Sequence, residues 1–473
     1  MAKIKMVTCV LTMACISACT VGPDYVRPSV AVPEHFKETP KGWKKAEPRD
    51  VCPPERWWTQ YHDEKLNELE AQLQISNQTI VAAVAQYDAA RGLVDEARAN
   101  YFPTIAASAS LTRQRTVPTV TSNNSNGSSA RANTATTHEL LLDASWEPDI
   151  WGSVRRTVEA SVANAESVQA ALGATQLSAQ ASLAQYYFEL RGLDQDQALL
   201  DSTVASDRDA LQLTENQYHA GVVAESDIIL ARTQLEQAEA LAINNGVNRA
   251  IYEHAIAVLI GVPASNFSLA RSTHKIIMPV VPVGVPSSLL ERRPDVAEEE
   301  RLIAQANAQI GIAISAYYPS LTLSATGSVT HTNYANWFSV PALAWALGAQ
   351  LSETIMDGGL RDAQVAVARA GYRASVANYK QTVLAAFQDV EDNLAAVRIL
   401  GQQASVTNEA ARDARDALRI TTNQYKAGTV AYANVITAQT TAFNAEKSAV
   451  DINYLRISSS IGLIKALGGS WKS

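Results

Sequence analysis

The chain has 473 residues and a net charge of −8, and its basic residues are scattered rather than gathered on one face, which argues against nucleic acid as a partner. Apolar residues make up 47% and aromatics only 7%, with alanine abundant from Val81 onward, the composition of closely packed small-residue helices. After the first twenty positions no run of about twenty apolar residues occurs, so any membrane-spanning element must be β rather than helix.

Lys3 and Lys5 precede the apolar stretch Met6 to Ile16, and small Ser17 and Ala18 stand before Cys19, the pattern of a secretory signal over residues 1–18. The run Ile16-Ser17-Ala18-Cys19 fits a lipoprotein cleavage site whose cysteine is acylated; the frame Thr12-Met13-Ala14-Cys15 fits less well. The expectation is covalent lipid on Cys19 and no other cofactor. Thr20 occupies the position where aspartate tends to retain lipoproteins at the inner membrane, so it favours the outer one. With Cys9 and Cys15 removed and Cys19 acylated, Cys52 is the sole free thiol and no internal disulfide forms.

An extended segment, 19–60, leads into a first repeat, 61–270, that reads as helix, strand, loop, strand and long helices. Ile105, Ala107, Ala109 and Leu111 alternate with Ser108, Ser110 and Thr112, predicting a strand over about 104–115. Leu140, Leu142, Ala144 and Trp146 alternate with Leu141, Asp143 and Ser145, predicting another over about 138–147. Between them the polar tract Thr121 to Ser129 suits an exposed loop. Proline-free segments rich in Ala, Leu, Gln and Glu then predict helices over about 153–191, 194–219 and 225–260, with Gly221 as a helix stop.

The second repeat, 271–473, follows the same order. Leu321, Leu323, Ala325, Gly327 and Val329 alternate strictly with Thr322, Ser324, Thr326, Ser328 and Thr330, a strand over about 320–331. Its partner, about 342–352, sets Leu343, Trp345, Leu347, Ala349 and Leu351 against Ala344, Ala346, Gly348 and Gln350, after a turn through Asn333 to Phe338. Helices are expected over about 360–399, 402–426 and 430–467, with Gly428 as the second stop.

The duplication is explicit. Arg208-Asp-Ala-Leu-Gln-Leu-Thr-Glu-Asn-Gln-Tyr-His-Ala-Gly221 recurs as Arg415-Asp-Ala-Leu-Arg-Ile-Thr-Thr-Asn-Gln-Tyr-Lys-Ala-Gly428. Tyr101-Phe-Pro103 answers Tyr317-Tyr-Pro319, and Gly152-Ser-Val-Arg155 answers Gly358-Gly-Leu-Arg361.

Strands of about ten residues with one apolar and one polar side have the length of tilted membrane strands, although a half-buried sandwich strand alternates in the same way. Four strands cannot close a membrane barrel, which needs at least about eight, so a membrane reading requires identical chains to share one barrel of eight, twelve or sixteen strands. The fold class expected is therefore an α+β membrane protein built from a tandem duplication.

Catalytic motifs are missing: there is no P-loop, Gly-x-Ser-x-Gly, His-Glu-x-x-His or Cys-x-x-Cys spacing, and the seven histidines are dispersed. Only Met278 and Met356 follow the signal, which disfavours a methionine relay for soft metal ions. Neither an enzyme nor a metal site is expected.

Cys19-Thr-Val-Gly-Pro-Asp-Tyr25, Arg27-Pro28, Trp57-Trp58, and Leu289-Leu-Glu-Arg-Arg-Pro-Asp-Val296 leading to Gly311 and Tyr318-Pro319 give the chain a specific likeness. It resembles the lipoprotein branch of the TolC-like outer-membrane factors, the OprM-like or NodT-type efflux proteins, from the lipobox to Leu467. The resemblance implies a homotrimer whose protomers each give four strands to a twelve-stranded barrel, continued by a periplasmic helical barrel with a small equatorial domain. It also implies docking to a periplasmic adaptor and an RND-type inner-membrane pump, passive conduction of drugs or other small toxic solutes, and contact with outer-membrane lipid. A type I secretion duct for polypeptides and a periplasmic scaffold lipoprotein are the alternatives.

In that family, acidic and apolar residues on inner helices near their tips hold the periplasmic mouth shut. The matching stretch is Phe387-Gln-Asp389-Val-Glu391-Asp392-Asn-Leu394, with Asp389 and Asp392 three apart on one helix face as gate candidates. Repeated about an axis, these carboxylates form a ring that attracts cations. The aligned first-half positions hold Leu183 and Tyr186.

Overall fold

The computed structural model describes residues 20–33, 35–38, 56–116, 132–273, 292–331 and 343–469. Cys19, Cys52 and the loops 121–129 and 333–338 lie outside the described residues. Two compact units are present, one from Met1–Arg27, Ala89–Ala165 and Arg301–Val376, the other from Pro28–Asp88, Glu166–Glu300 and Ala377–Ser473.

A one-turn 3-10 helix at Trp57–Tyr61 is followed by α1 (Glu64–Ser76), α2 (Gln78–Ala99), β1 (Thr104–Thr116) and β2 (Asn133–Trp146). Next come α3 (Ser153–His219), α4 (Glu225–Leu259) and α5 (Pro294–Ser315), then β3 (Ser320–His331), β4 (Leu343–Ser352), α6 (Leu360–Lys426) and α7 (Tyr432–Ala466). β2 begins five residues before its predicted start, because Asn133 to Thr137 pair with Thr112 to Thr116 of β1.

The expected helix breaks near residues 192 and 400 are absent: α3 and α6 are each unbroken and 67 residues long. Gly192 serves close approach rather than a stop, since a Cβ there would lie 2.8 Å from the Tyr454 ring. A single glycine costs a helix about 1 kcal/mol, too little to end one that packing supports. Gly221 and Gly428 do end their helices, with φ of 73° and 74°, and Val222 and Thr429 donate back to the carbonyls of Gln217 and Gln424.

The first unit contains the sheet, antiparallel throughout in the order β1-β2-β3-β4. It also holds the described start of the chain. Val21 N–H donates to Trp151 O, and Arg156 donates to Val21 O, Gly22 O and Asp24 Oδ1. The residues just after Cys19 are therefore bound to the start of α3, not free.

The second unit has an aromatic and aliphatic core. Trp57, Trp58 and Tyr61 pack with Leu66, Leu69 and Leu73 of α1, Leu183, Tyr187 and Phe188 of α3, and Ile457 and Ile461 of α7. Full burial of each such side chain contributes about 1.5–3 kcal/mol. The polar ends are matched: Trp57 Nε1 donates to Gln180 Oε1, and Tyr61 OH to Ser460 Oγ. Asp63 caps α1 by accepting from Leu66 N–H, and its other oxygen accepts from Tyr187 OH.

Candidate functional site

Strand register decides what the sheet can face. Residues paired across antiparallel strands share a side, and the ladder places Ile105, Ala144, Ala325 and Leu347 in one row. The next row on that side is Ala107, Leu142, Gly327 and Trp345, and the next Ala109, Leu140, Val329 and Leu343. The other side carries Ala106, Asp143, Thr326 and Ala346, then Ser108, Leu141, Ser328 and Ala344. All four apolar sets thus coincide on one exposed face, while a one-residue slip in any pair would have mixed the two. Ile105, Leu142, Trp345 and Leu347 are exposed there, as lipid-facing side chains are in an isolated chain. No described helix is long and apolar enough to cross a membrane.

The acidic stretch of α6 has a different setting from the one expected. Asp389 and Asp392 lie 37 and 34 residues before the helix ends at Lys426, so their expected place near a helix tip is corrected. The physical reason is the continuity of α6: the helix runs on through residues 399–402, which carries the run far from the turn at 427–431. Val390 and Leu394 are buried in the second unit's core, with Phe387 packed against it.

The carboxylates of this stretch are also divided among different partners. Asp389 accepts two bonds from the Arg293 guanidinium, at 3.0 and 3.1 Å, and Arg293 is paired in turn with Asp295. Glu391 accepts the backbone N–H groups of Lys37 and Glu38. Asp392 is exposed and accepts from Gln388 Nε2 at 3.3 Å. A cleft of about 380 Å³ lies beside Asp389, lined by Arg293, Asp295, Asn393 and Lys465, so its carboxylates are balanced by cations. Arg293 belongs to the motif quoted from the sequence, but its partner is 96 residues away and periodicity carries no sign of it.

The helix ends themselves hold a seam between the two duplicated hairpins. Ala231 of α4, Tyr425 of α6, and Tyr432 and Val435 of α7 form a buried cluster. Tyr425 OH donates to Gln217 Oε1 of α3 and lies 3.3 Å from Thr214 Oγ1. Further along α3, Asp207 is fully buried; Oδ1 accepts from Gln439 Nε2 at 2.8 Å, and Oδ2 has no hydrogen-bond partner. The sequence held a signal for it: the adjacent Arg208 is duplicated as Arg415, whereas Asp207 is answered by Ala414.

Burial raises the Asp207 carboxyl from 3.8 to about 6, the bond from Gln439 opposing the shift. A carboxyl whose pKa is raised by folding stabilises the fold at low pH and loses that contribution as pH climbs through the raised value. The loss falls between about pH 4 and 6 and is on the order of 3 kcal/mol. Asp207→Asn is therefore expected to raise the thermal unfolding midpoint in detergent at pH 7.5 and to leave it unchanged near pH 3.5. Parallel pH profiles for the two proteins would show that this carboxyl ionises freely.

A four-stranded sheet whose central rows are apolar on one face, on a chain otherwise made of long helices, defines an outer-membrane channel subunit. The model of the family described as outer membrane efflux protein matches residues 69–262 and 285–469, and the chain belongs to that family. It is 27% identical over 473 residues to the toluene efflux pump outer membrane protein TtgC of Pseudomonas putida, covering 99% of this chain and 96% of that protein. It is 29% identical over 437 residues to nodulation protein T of Rhizobium leguminosarum bv. trifolii, covering 90% and 88%. The solved outer-membrane channel OprN superposes with a TM-score of 0.87 at 27% identity, over 96% of this chain and all of that one.

Proposed function

We propose that three copies of this chain close their sheets into one twelve-stranded outer-membrane barrel through which small toxic solutes leave the cell. The observation that carries the reading is the pairing order, which leaves β1 and β4 as open edges of a sheet with a lipid-compatible face. In hydrocarbon each unpaired backbone group costs several kcal/mol, so β1 of one copy must pair with β4 of the next. Toluene efflux by the relative TtgC supports a small organic cargo.

In this reading the chain is a passive duct with no catalytic role. An RND-type pump in the inner membrane supplies the energy and a periplasmic adaptor connects it, while lipid on Cys19 anchors each copy in the outer membrane. Asp389 and Asp392 act on ions passing the helical part, and Asp392 contributes the net charge because Asp389 is matched by Arg293.

The test is full-length protein extracted in mild detergent and added to planar lipid bilayers. A particle of three copies with discrete conductance steps is expected, and Asp392→Ala should lower its preference for cations more than Asp389→Ala does. Single-copy particles that leave the bilayer silent would overturn the duct.

A further inference from the structure

Between the duplicated hairpins lies a buried pair of polar side chains that neither helix backbone can serve. Asp207 of α3 is fully buried and Gln439 of α7 is 7% exposed. Gln439 Nε2 donates to Asp207 Oδ1 at 2.8 Å, which sets the amide and the carboxyl side by side. The remaining atom of each, Asp207 Oδ2 and Gln439 Oε1, is buried without a hydrogen-bond partner. Both are oxygens, so the pair lacks one donor and nothing else. Both residues lie inside long helices, whose backbone N–H groups are committed to carbonyls four residues back, so the donor cannot come from there.

No charged side chain supplies it either. The titratable groups facing the pair are Tyr432 of α7 and, stacked against it, Tyr425 of α6, both buried. Arg208, next to Asp207 on α3, is engaged by Glu239 of α4. About two turns further along α7, Glu446 is engaged by Arg415 of α6, and Lys447 by Asp196 and Asp451. The other half of the chain has no such pair: the positions answering Asp207 and Gln439 hold Ala414 and Arg232, and Arg232 pairs with Glu215. The pair is therefore not a relic of the duplication but belongs to this seam.

A protonated carboxyl has one O–H donor, and the amide beside it keeps a free carbonyl acceptor. With the proton on Oδ2, Asp207 donates to Gln439 Oε1 while Oδ1 goes on accepting from Nε2, a closed ring of two hydrogen bonds. With the proton gone, Oδ2 carries charge toward a second acceptor in a buried place, which is costly. Burial raises the Asp207 carboxyl to about 6, so the change falls within ordinary solution pH.

We infer that Asp207 and Gln439 form a proton-operated fastening between α3 and α7: a proton taken from solvent closes it through Oδ2–H to Oε1, and loss of that proton to solvent opens it. The seam around Tyr425, Tyr432 and Val435 is thus held more firmly in mildly acidic solution than in alkaline solution.

The test uses full-length protein in detergent, with ¹³C at the side-chain carbonyl of every glutamine. Infrared difference spectra between pH 5 and pH 8 are recorded for the parent and for Asp207→Asn, and subtracting the variant leaves the contribution of Asp207. A protonated-carboxyl band and a shifted glutamine carbonyl band are expected together at pH 5. In parallel, amide hydrogen exchange, corrected for the intrinsic pH dependence of the reaction, should be about tenfold slower at pH 5 than at pH 8 across 203–211 and 435–443 of the parent. It should be equal at both pH values in Asp207→Asn, whose own amide can make both bonds. A carboxyl band without a glutamine shift would mean that burial alone governs Asp207, and would overturn the fastening. Equal protection of the parent at both pH values would overturn its hold on the seam.

Discussion

Leu347→Lys is expected to remove most of the protein from the outer membrane. Leu347 lies at the middle of β4, 75% exposed, in the row shared with Ala325, Ala144 and Ile105. A lysine on the lipid face near the bilayer midplane costs about 2–4 kcal/mol, and each assembled particle would carry it once per copy. Ala346→Lys is the matched comparison. It has the same depth but stands on the face of Thr326 and Asp143, where a cation meets a carboxylate and water. Recovery of chain in outer-membrane fractions should fall at least tenfold for the first variant and stay within about twofold for the second. Equal recovery of the two would mean that the apolar rows do not face lipid.

Asp194→Ala is expected to produce the largest loss of stability in the second unit. The Asp194 side chain is fully buried; it accepts from Arg191 at 3.0 Å, from Arg249 at 2.8 Å and from Ser272 N–H at 3.0 Å. It thereby ties α3 and α4 to the irregular segment 269–272, where Arg191 also donates to Ala270 O. Removing the carboxylate leaves the largely buried Arg191 guanidinium without its ion-pair partner, while Arg249 keeps Glu253 at 3.1 Å. The penalty for one such orphaned buried charge is about 3–5 kcal/mol. Asp194→Asn, which keeps one acceptor, should cost less. Chemical unfolding followed by helical circular dichroism measures both, and an alanine variant as stable as the parent would show that water already compensates these arginines.

Much of the local structure was legible because it depends on near neighbours. The strand at 320–331 was marked at every position by alternation between Leu321 and Thr330, and the observed strand is Ser320–His331. The turns at Gly221 and Gly428 were legible because the left-handed region that ends a helix costs glycine little. Helix continuity was harder to read, since Gly192 carries the same letter as a helix stop and only the Tyr454 ring beside it shows its use. The acidic run illustrates the limit further: three carboxylates within about one turn read as one feature, yet Asp389, Glu391 and Asp392 have three separate partners.

The sequence by itself determined the duplication, the four two-sided strands, the helix stops at Gly221 and Gly428 and the need for several copies, because each follows from the identity and spacing of residues close along the chain. Tertiary structure alone decided that the four apolar sets share one face, that Asp389 is matched by Arg293, and that Asp207 and Asp194 are buried. Each of these depends on which distant segment packs alongside. A carboxylate or a tyrosine has the same composition whether it meets water, a guanidinium or another helix.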